Sequence, residues 1–310
     1  MSSSVLTPEE LSRTLAAHRV WLEGEPAGIR GNFAFTNLDG VDFRGRDLRR
    51  VLLKSASLRA ANLQGVDLSG AVLESADLRE ARLAQANLSA AILKDTNLDG
   101  CDLTEAVLIE AAASTSTFRE ANLGGARMLE SNIHQCSFQK ASLRSAVLQH
   151  AKIFECDFSD ANLERALFNY ARARACRFRD VRAAEANFSH CVLESSDFRN
   201  ARLIGAKFHK ANPSGGSFCW ADLSHSDFRE ATLRGTEFRG AVLRGARFGE
   251  AILQSADFRG ANLQGARELT SRQLSQAWTG PETILPSGKC GVYMKGSGAE
   301  RPAPTSFQAL

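Results

Sequence analysis

A large apolar residue recurs at every fifth position of this chain, and a small residue stands two positions before it. Leu123, Met128, Ile133, Phe138, Leu143, Leu148, Ile153, Phe158 and Leu163 form one run of such centres. Ala121, Ala126, Ser131, Cys136, Ala141, Ala146, Ala151, Cys156 and Ala161 fill the matching small slots. From Phe33 to Leu263, 43 of 47 centres are Leu, Phe, Ile or Met, the exceptions being Ala113, Ala173, Ala183 and Pro213. From Gly31 to Ala266, every slot but Arg46 holds Ala, Gly, Ser, Thr, Cys or Val. No insertion breaks the count.

A period of five does not suit a helix. At about 100° per residue the centres would spread around the whole cylinder. Slot and centre are two apart, however, which places both on one side of an extended chain. Five is odd, so a straight strand would send the next centre to the other side. A corner in every repeat turns it inward again, and the chain winds as a coil of short strands. The number of sides follows from the phenylalanines. Phe118, Phe138, Phe158, Phe178, Phe198, Phe218, Phe238 and Phe258 have a period of twenty, and Phe168, Phe188, Phe208, Phe228 and Phe248 form a second series offset by ten. Twenty residues per turn means four sides of five, with the two Phe columns on opposite walls. Twelve coils at about 4.8 Å each predict a rod roughly 55 Å long.

Four departures from the frame stand out. Residues 1–30 open with Thr7-Pro8-Glu9-Glu10, a capping-box signature, followed by Leu11, Leu15, Trp21 and Leu22, which predicts a helix covering the first coil. Ala111 to Thr117 is a run of small residues that predicts a pinch or bulge. Asn212-Pro213-Ser214-Gly215-Gly216 predicts a kink, because proline cannot donate to a central ladder. After Ala266 the frame ends. Thr270-Ser271-Arg272-Gln273 begins a second capping helix, placed at 267–286, and residues 287–310, with Phe307 and Leu310, read as a flexible tail.

Two outward features are candidate partner surfaces. Leu52, Val72 and Ile92 stand just before centres in successive coils of one wall, where Asp or Asn is common elsewhere. Arg172, Arg174, Arg177 and Arg179 belong to the densest basic belt, interleaved with Glu164, Asp180 and Glu185. A smaller cluster, Arg44, Arg46, Arg49, Arg50 and Lys54 against Asp42 and Asp47, suits a solvated face or an acidic partner.

Composition narrows the function. The net charge is only +3 over 310 residues. No run of 18 apolar residues exists, so no membrane span is expected. Met1 to Glu10 lacks an apolar signal core. Five of the seven cysteines, Cys101, Cys136, Cys156, Cys176 and Cys191, occupy inward slots, and together these points predict a reducing cytoplasm. His18, His134, His150, His190, His209 and His225 show no metal-like spacing, although His150, Tyr170 and His190 fall twenty apart and should stack on one outer corner. No phosphate loop, nucleophile elbow or dinucleotide fingerprint appears. Neither an enzyme nor a cofactor is expected.

Ala61-Asn62-Leu63, Ala76-Asp77-Leu78, Ala86-Asn87-Leu88, Ala161-Asn162-Leu163, Ala221-Asp222-Leu223 and Ala261-Asn262-Leu263 resemble the A-(D/N)-L-x-x motif of the pentapeptide-repeat family. His18-x-x-Trp21-Leu22 resembles the segment leading into the repeats of many bacterial members. The resemblance implies an all-β, right-handed quadrilateral parallel β-helix over residues 31–266. The first functional reading needs only the repeat pattern: a non-catalytic rod that presents its four walls to a protein partner, a protein-protein interaction scaffold. Some members resemble B-DNA in shape and charge and bind type II topoisomerases such as DNA gyrase. B-DNA carries one charge per roughly 1.7 Å, so a 55 Å mimic needs about 30 negative charges. Residues 31–266 contain 28 acidic and 30 basic residues, which disfavours that reading. A third reading, nucleic-acid binding through a basic wall such as Arg179, Arg199, Arg239 and Arg259, meets the same near-neutral charge. The protein partner is unknown, and a homodimer is left open.

Overall fold

In the computed structural model, residues 4–302 are described, and they fall into two compact units that divide between Asn162 and Leu163. Both units obey one rule: a residue just before a centre bridges, in parallel, the residue twenty positions on. Like residues therefore stack coil upon coil, four sides to a turn.

In the first unit, ladders run through Leu52, Val72 and Ile92, through Ser57, Asp77 and Asn97, through Asn62, Arg82 and Asp102, and through Asp67, Asn87 and Val107. The centres between them are fully buried, among them Leu63, Leu83 and Phe118. The usual corner is a tight turn in which the next slot's N–H donates to the centre's carbonyl, as from Ala61 to Leu58 at 3.1 Å. The third residue of this turn must take positive φ, the signature of a type II turn. Every fifth residue from Phe35 to Gly265 does so, at φ between +52° and +71°.

The small-residue run is not a bulge. Ala112–Ser114 (β3) pairs in parallel register with Asn132–His134 (β4), which pairs with Lys152–Phe154 (β5). What changes there is the corner. The Cys136 thiol donates to the Ala113 carbonyl at 3.4 Å, and Cys156 to Ile133 at 3.6 Å. Thr96 does the same for Leu73 at 2.8 Å, and Ser116 for Leu93. A polar side chain from the next coil thus satisfies the turn carbonyl.

The N-terminal segment supplies Ser4–Val5 (β1), the helix Pro8–Leu22 (α1) and Thr36–Asn37 (β2). The capping box is formed as expected: Thr7 accepts from Glu10 N–H and Glu10 accepts from Thr7 N–H. β1 adds in parallel to β2, on the edge of the first coil. The leucines of α1 are only half buried; its buried residue is His18. His18 Nδ1 accepts from Gly31 N–H at 3.0 Å, and its ring stacks 5.6 Å from Trp21. Arg30 and Arg50 lie 5.6 and 5.0 Å from the Trp21 ring centre. Gly28 permits this approach, since a Cβ there would sit 2.2 Å from Trp21 N.

The second unit is built around phenylalanine. Phe178, Phe198, Phe218, Phe238 and Phe258 stack face to face at 4.5–5.3 Å. Phe168, Phe188, Phe208, Phe228 and Phe248 stack at 4.9–5.5 Å. The two columns meet edge to face, Phe198 against Phe208 at 6.0 Å and 88°, a geometry that suits the ring quadrupole.

Pro213 makes no kink. It keeps its buried place in the frame, and Gly216 N–H closes the turn onto its carbonyl at 2.9 Å. The donor that proline lacks is replaced next door: Ser214 Oγ donates to Thr232 O at 3.2 Å. Gly216 is required, because a Cβ would stand 2.7 Å from Ser196 O.

The C-terminal helix is shorter than the sequence suggests. It spans Ser271–Leu274 (α2), again with a capping box. Gln273 turns its side-chain amide onto the carbonyls of Phe248 and Ala251 at 2.8 and 2.9 Å, so one side chain finishes a strand edge. The ladder then resumes, with Trp278 bridging Asp257 and Ile284 bridging Asn262. Of the stretch read as a tail, residues 287–302 are described. Tyr293 N–H donates to Thr279 Oγ1 at 2.8 Å, and Glu300 accepts from Ser271 Oγ and Tyr293 Oη. Residues 303–310, with Phe307 and Leu310, lie outside the described residues.

Candidate interaction surfaces

Shallow hollows of about 370–450 Å³ lie beside α1, beside α2 and at His150, each lined by wall, corner or helix side chains rather than by centre residues. The side chains available to a partner are those of the walls and corners. No group of three His, Cys, Asp or Glu among the described residues is placed to hold a metal. No helix among them is long and apolar enough to cross a membrane.

Leu52, Val72 and Ile92 form one ladder of parallel bridges. The first two are half-buried and Ile92 is 44% exposed. On the same wall, one residue beyond the centres, Glu74 pairs with Lys54 at 3.1 Å and Lys94 at 3.9 Å. The result is a flat apolar stripe with a charged but compensated border.

The arginine belt spans two walls of the second unit. Arg172 and Arg174 flank the buried Ala173 on Arg172–Arg174 (β6), while Arg177 and Arg179 flank Phe178 on the next side. Arg174 pairs with Glu194 at 2.9 Å, and Arg179 shares Asp197 with Arg199. Tyr170 and His190 stack at 4.6 Å as their spacing predicts, and His209 meets His190 edge to face at 5.8 Å. His150 belongs to the first unit, beside Glu130 and Lys152. The buried thiols are pushed away from ionisation. Burial raises Cys101 to about 12 and Cys191 higher still, and Cys136 is raised first by its contact with Cys156 and then by burial.

The repeat itself decides kinship. A family model described as a pentapeptide repeat region matches residues 151–219. A second, of eight pentapeptide repeats, matches 36–74, 71–108, 116–149, 214–249 and 234–267. The chain belongs to the pentapeptide-repeat family. Members of this family form right-handed quadrilateral β-helices and are generally structural or interaction proteins.

Among solved structures, a pentapeptide-repeat protein from the thylakoid lumen of Arabidopsis thaliana is 35% identical. That match covers 33% of this chain and 68% of the other, with a TM-score of 0.31. QnrB1, a plasmid-mediated fluoroquinolone resistance protein, is 21% identical over 59% of this chain and 86% of its own, with a TM-score of 0.33. HetL, a protein of heterocyst differentiation regulation in the cyanobacterium Nostoc sp. strain PCC 7120, is 25% identical over 92% and 99%, with a TM-score of 0.22. Among curated proteins none matches the chain.

One wall device of this pentapeptide-repeat chain is absent from the sequence reading. An acid just before a centre pairs with an arginine just after it: Asp42 with Arg44 at 2.7 Å, Asp47 with Arg49 at 2.6 Å, Asp77 with Arg79 at 2.5 Å. In the second unit Asp197–Arg199, Asp227–Arg229, Glu237–Arg239 and Asp257–Arg259 repeat it at 2.6–2.8 Å. The hydrogen bonds from Arg44 hold the Asp42 carboxyl down at about 2. Solvent screens exposed pairs of this kind, so each adds little to stability. Their larger effect is to cancel charge locally. The signal was available as D-x-R, since residues two apart share a face of an extended strand.

Proposed function

We propose that this pentapeptide-repeat protein is a non-catalytic scaffold that binds a protein partner through the wall carrying Leu52, Val72 and Ile92. The observation behind this is the ladder itself: three apolar side chains stacked outward where, Val107 apart, the other walls of these coils carry Asn, Asp, Ser or Arg. Contiguous exposed apolar side chains mark interaction surfaces more often than scattered ones do. In the same reading, α1 and the segment from α2 onward cap the coil ends, and the buried free thiols suit the reducing cytoplasm. Topoisomerase binding by DNA mimicry is the weaker reading, because the acid–arginine pairs leave mixed rather than acidic walls.

The test is affinity capture from the source cytoplasm with wild-type protein and Val72→Glu. A specific partner retained by the wild type and lost by the variant, at unchanged thermal stability, supports the scaffold. Equal capture by both removes this wall from the proposal. DNA gyrase supercoiling is assayed alongside, and inhibition at micromolar protein would replace the scaffold reading with the topoisomerase one.

A further inference from the structure

The first coil of a parallel ladder has backbone groups with no coil beneath to pair them, and such edges invite strand addition. This protein covers part of that edge itself. β1 is an extended segment added in parallel to Thr36–Asn37, and His18 of α1 takes the Gly31 N–H. Three ladder positions of this coil remain: among the described residues, no hydrogen bond reaches the N–H or the carbonyl of Asn32, of Asp42 or of Asp47. In the coils above, the equivalent groups are bonded: Asn62 N–H donates to Val41 O at 2.9 Å, and Leu48 N–H to Asp67 O at 3.0 Å.

Beside the Asp47 edge lies a groove of about 430 Å³, walled on one side by Leu15, Ala16 and Leu22 of α1 and on the other by Arg46 and Asp47. The charges around it are not equivalent. Arg19 pairs with Glu23 at 3.1 Å and Arg49 with Asp47 at 2.6 Å. No carboxylate among the described residues pairs with Arg46, which is exposed. Arg46 is also the single large residue in the slot series, standing at the end of a column that continues upward through Val66 and Ala86, both buried. A residue added below in register would continue the column of Arg46, whose side chain lines the groove.

We infer that this edge is a docking site for an extended acidic segment of a partner protein, added as a strand beside Asp47 with a carboxylate on Arg46. The N–H and carbonyl of Asp47, unbonded among the described residues, supply the main-chain pairing of β-augmentation. Arg46 selects the acid, and the leucines of α1 cover the segment's apolar side chains. The site is separate from the Leu52–Val72–Ile92 wall, so the two stand or fall independently.

The probe is a fluorescein-labelled, N-acetylated peptide, Thr-Val-Glu-Val-Thr, titrated by anisotropy against the full chain. Saturable binding is expected, weakened at least about tenfold by Arg46→Glu, equivalent to about 1.4 kcal/mol. A peptide with Lys in place of Glu should bind Arg46→Glu better than it binds wild type. Arg44→Ala, whose partner is Asp42, and Val72→Glu should leave the binding unchanged. Methylating the peptide's backbone nitrogens should abolish it. Unchanged thermal melting of Arg46→Glu is the folding control. No saturation by about 1 mM, equal binding by the methylated peptide, or insensitivity to Arg46→Glu would each overturn the inference. So would self-association of the wild type that Arg46→Glu abolishes, which would assign the edge to a second copy.

Discussion

Replacing Phe198 by alanine should be among the most damaging single changes in the second unit. The ring is fully buried. It stacks on Phe178 at 4.5 Å and Phe218 at 4.8 Å, and meets Phe188 and Phe208 edge-on at 5.7 and 6.0 Å. A buried Phe→Ala change costs about 3–5 kcal/mol, the spread reflecting how far the surroundings collapse. Collapse is hindered here, because the walls are tied at every coil by ladder bonds such as Phe198 N–H to Ser217 O at 2.7 Å. We therefore expect the upper part of that range, about 4–5 kcal/mol. Phe198→Leu restores the residue type found at most centres and loses chiefly the four ring contacts, for about 1–2 kcal/mol. Urea unfolding followed by far-ultraviolet circular dichroism gives the size of the loss. Native-state hydrogen exchange gives its place. Each coil touches only its neighbours, so protection should fall at the amides of Phe178, Phe198 and Phe218 and persist at Phe258, whose N–H donates to Trp278 O at 2.8 Å. A cost for Phe198→Ala below about 2 kcal/mol, or equal loss of protection at Phe258, would refute the stacked-column argument.

Two further outcomes follow from the corners and the first helix. Ala90 holds φ +54°, which costs an L-residue about 1–2 kcal/mol; Ala90→Gly should raise stability by about 0.5–1 kcal/mol once the more flexible unfolded chain is counted, and a lower midpoint in urea would contradict the turn assignment. Burial lowers the His18 pKa, against smaller opposing effects of the Arg49 carbonyl and Asp47. The unfolded chain, with a pKa near 6.5, then takes up a proton that the folded chain refuses. Stability is thus fully present above about pH 6.5 and falls as the pH drops below it. Melting temperatures between pH 7.5 and 5.5 should decline more steeply in the wild type than in His18→Asn, and equal slopes would remove His18 as the cause.

The side count was legible because Phe stacks only where Phe recurs, and a period of twenty admits one polygon of five-residue sides. Both capping boxes were legible because each is a local exchange of two hydrogen bonds. The corner conformation was not: Ala90, Glu80 and Tyr170 all occupy positive φ, and nothing in those side chains announces it. Pro213 and the Ala111–Thr117 run were misread as distortions because their remedies come from elsewhere, Ser214 Oγ in one case and the Cys136 thiol one coil on in the other. Of the candidate surfaces, spacing alone put Leu52, Val72 and Ile92 on one ladder. The pairing that neutralises Arg179 through Asp197 needed the next coil in view. Arg46 was visible as an anomaly in the series, but the edge beside it, unbonded among the described residues, came into view only with the fold.

All three indoles lie outside the core. Trp220 is 70% exposed over the Gly240 corner, Trp278 is 57% exposed against Arg259, and Trp21 sits between two guanidinium groups. The interior holds Phe, Leu and Ala instead, which are optically quiet at the wavelengths that excite indole. Intrinsic emission will therefore barely register the melting of the coils, yet respond at once when a ligand settles on a corner or beside α1. For this molecule the usual reporter of unfolding is better used as a reporter of visitors.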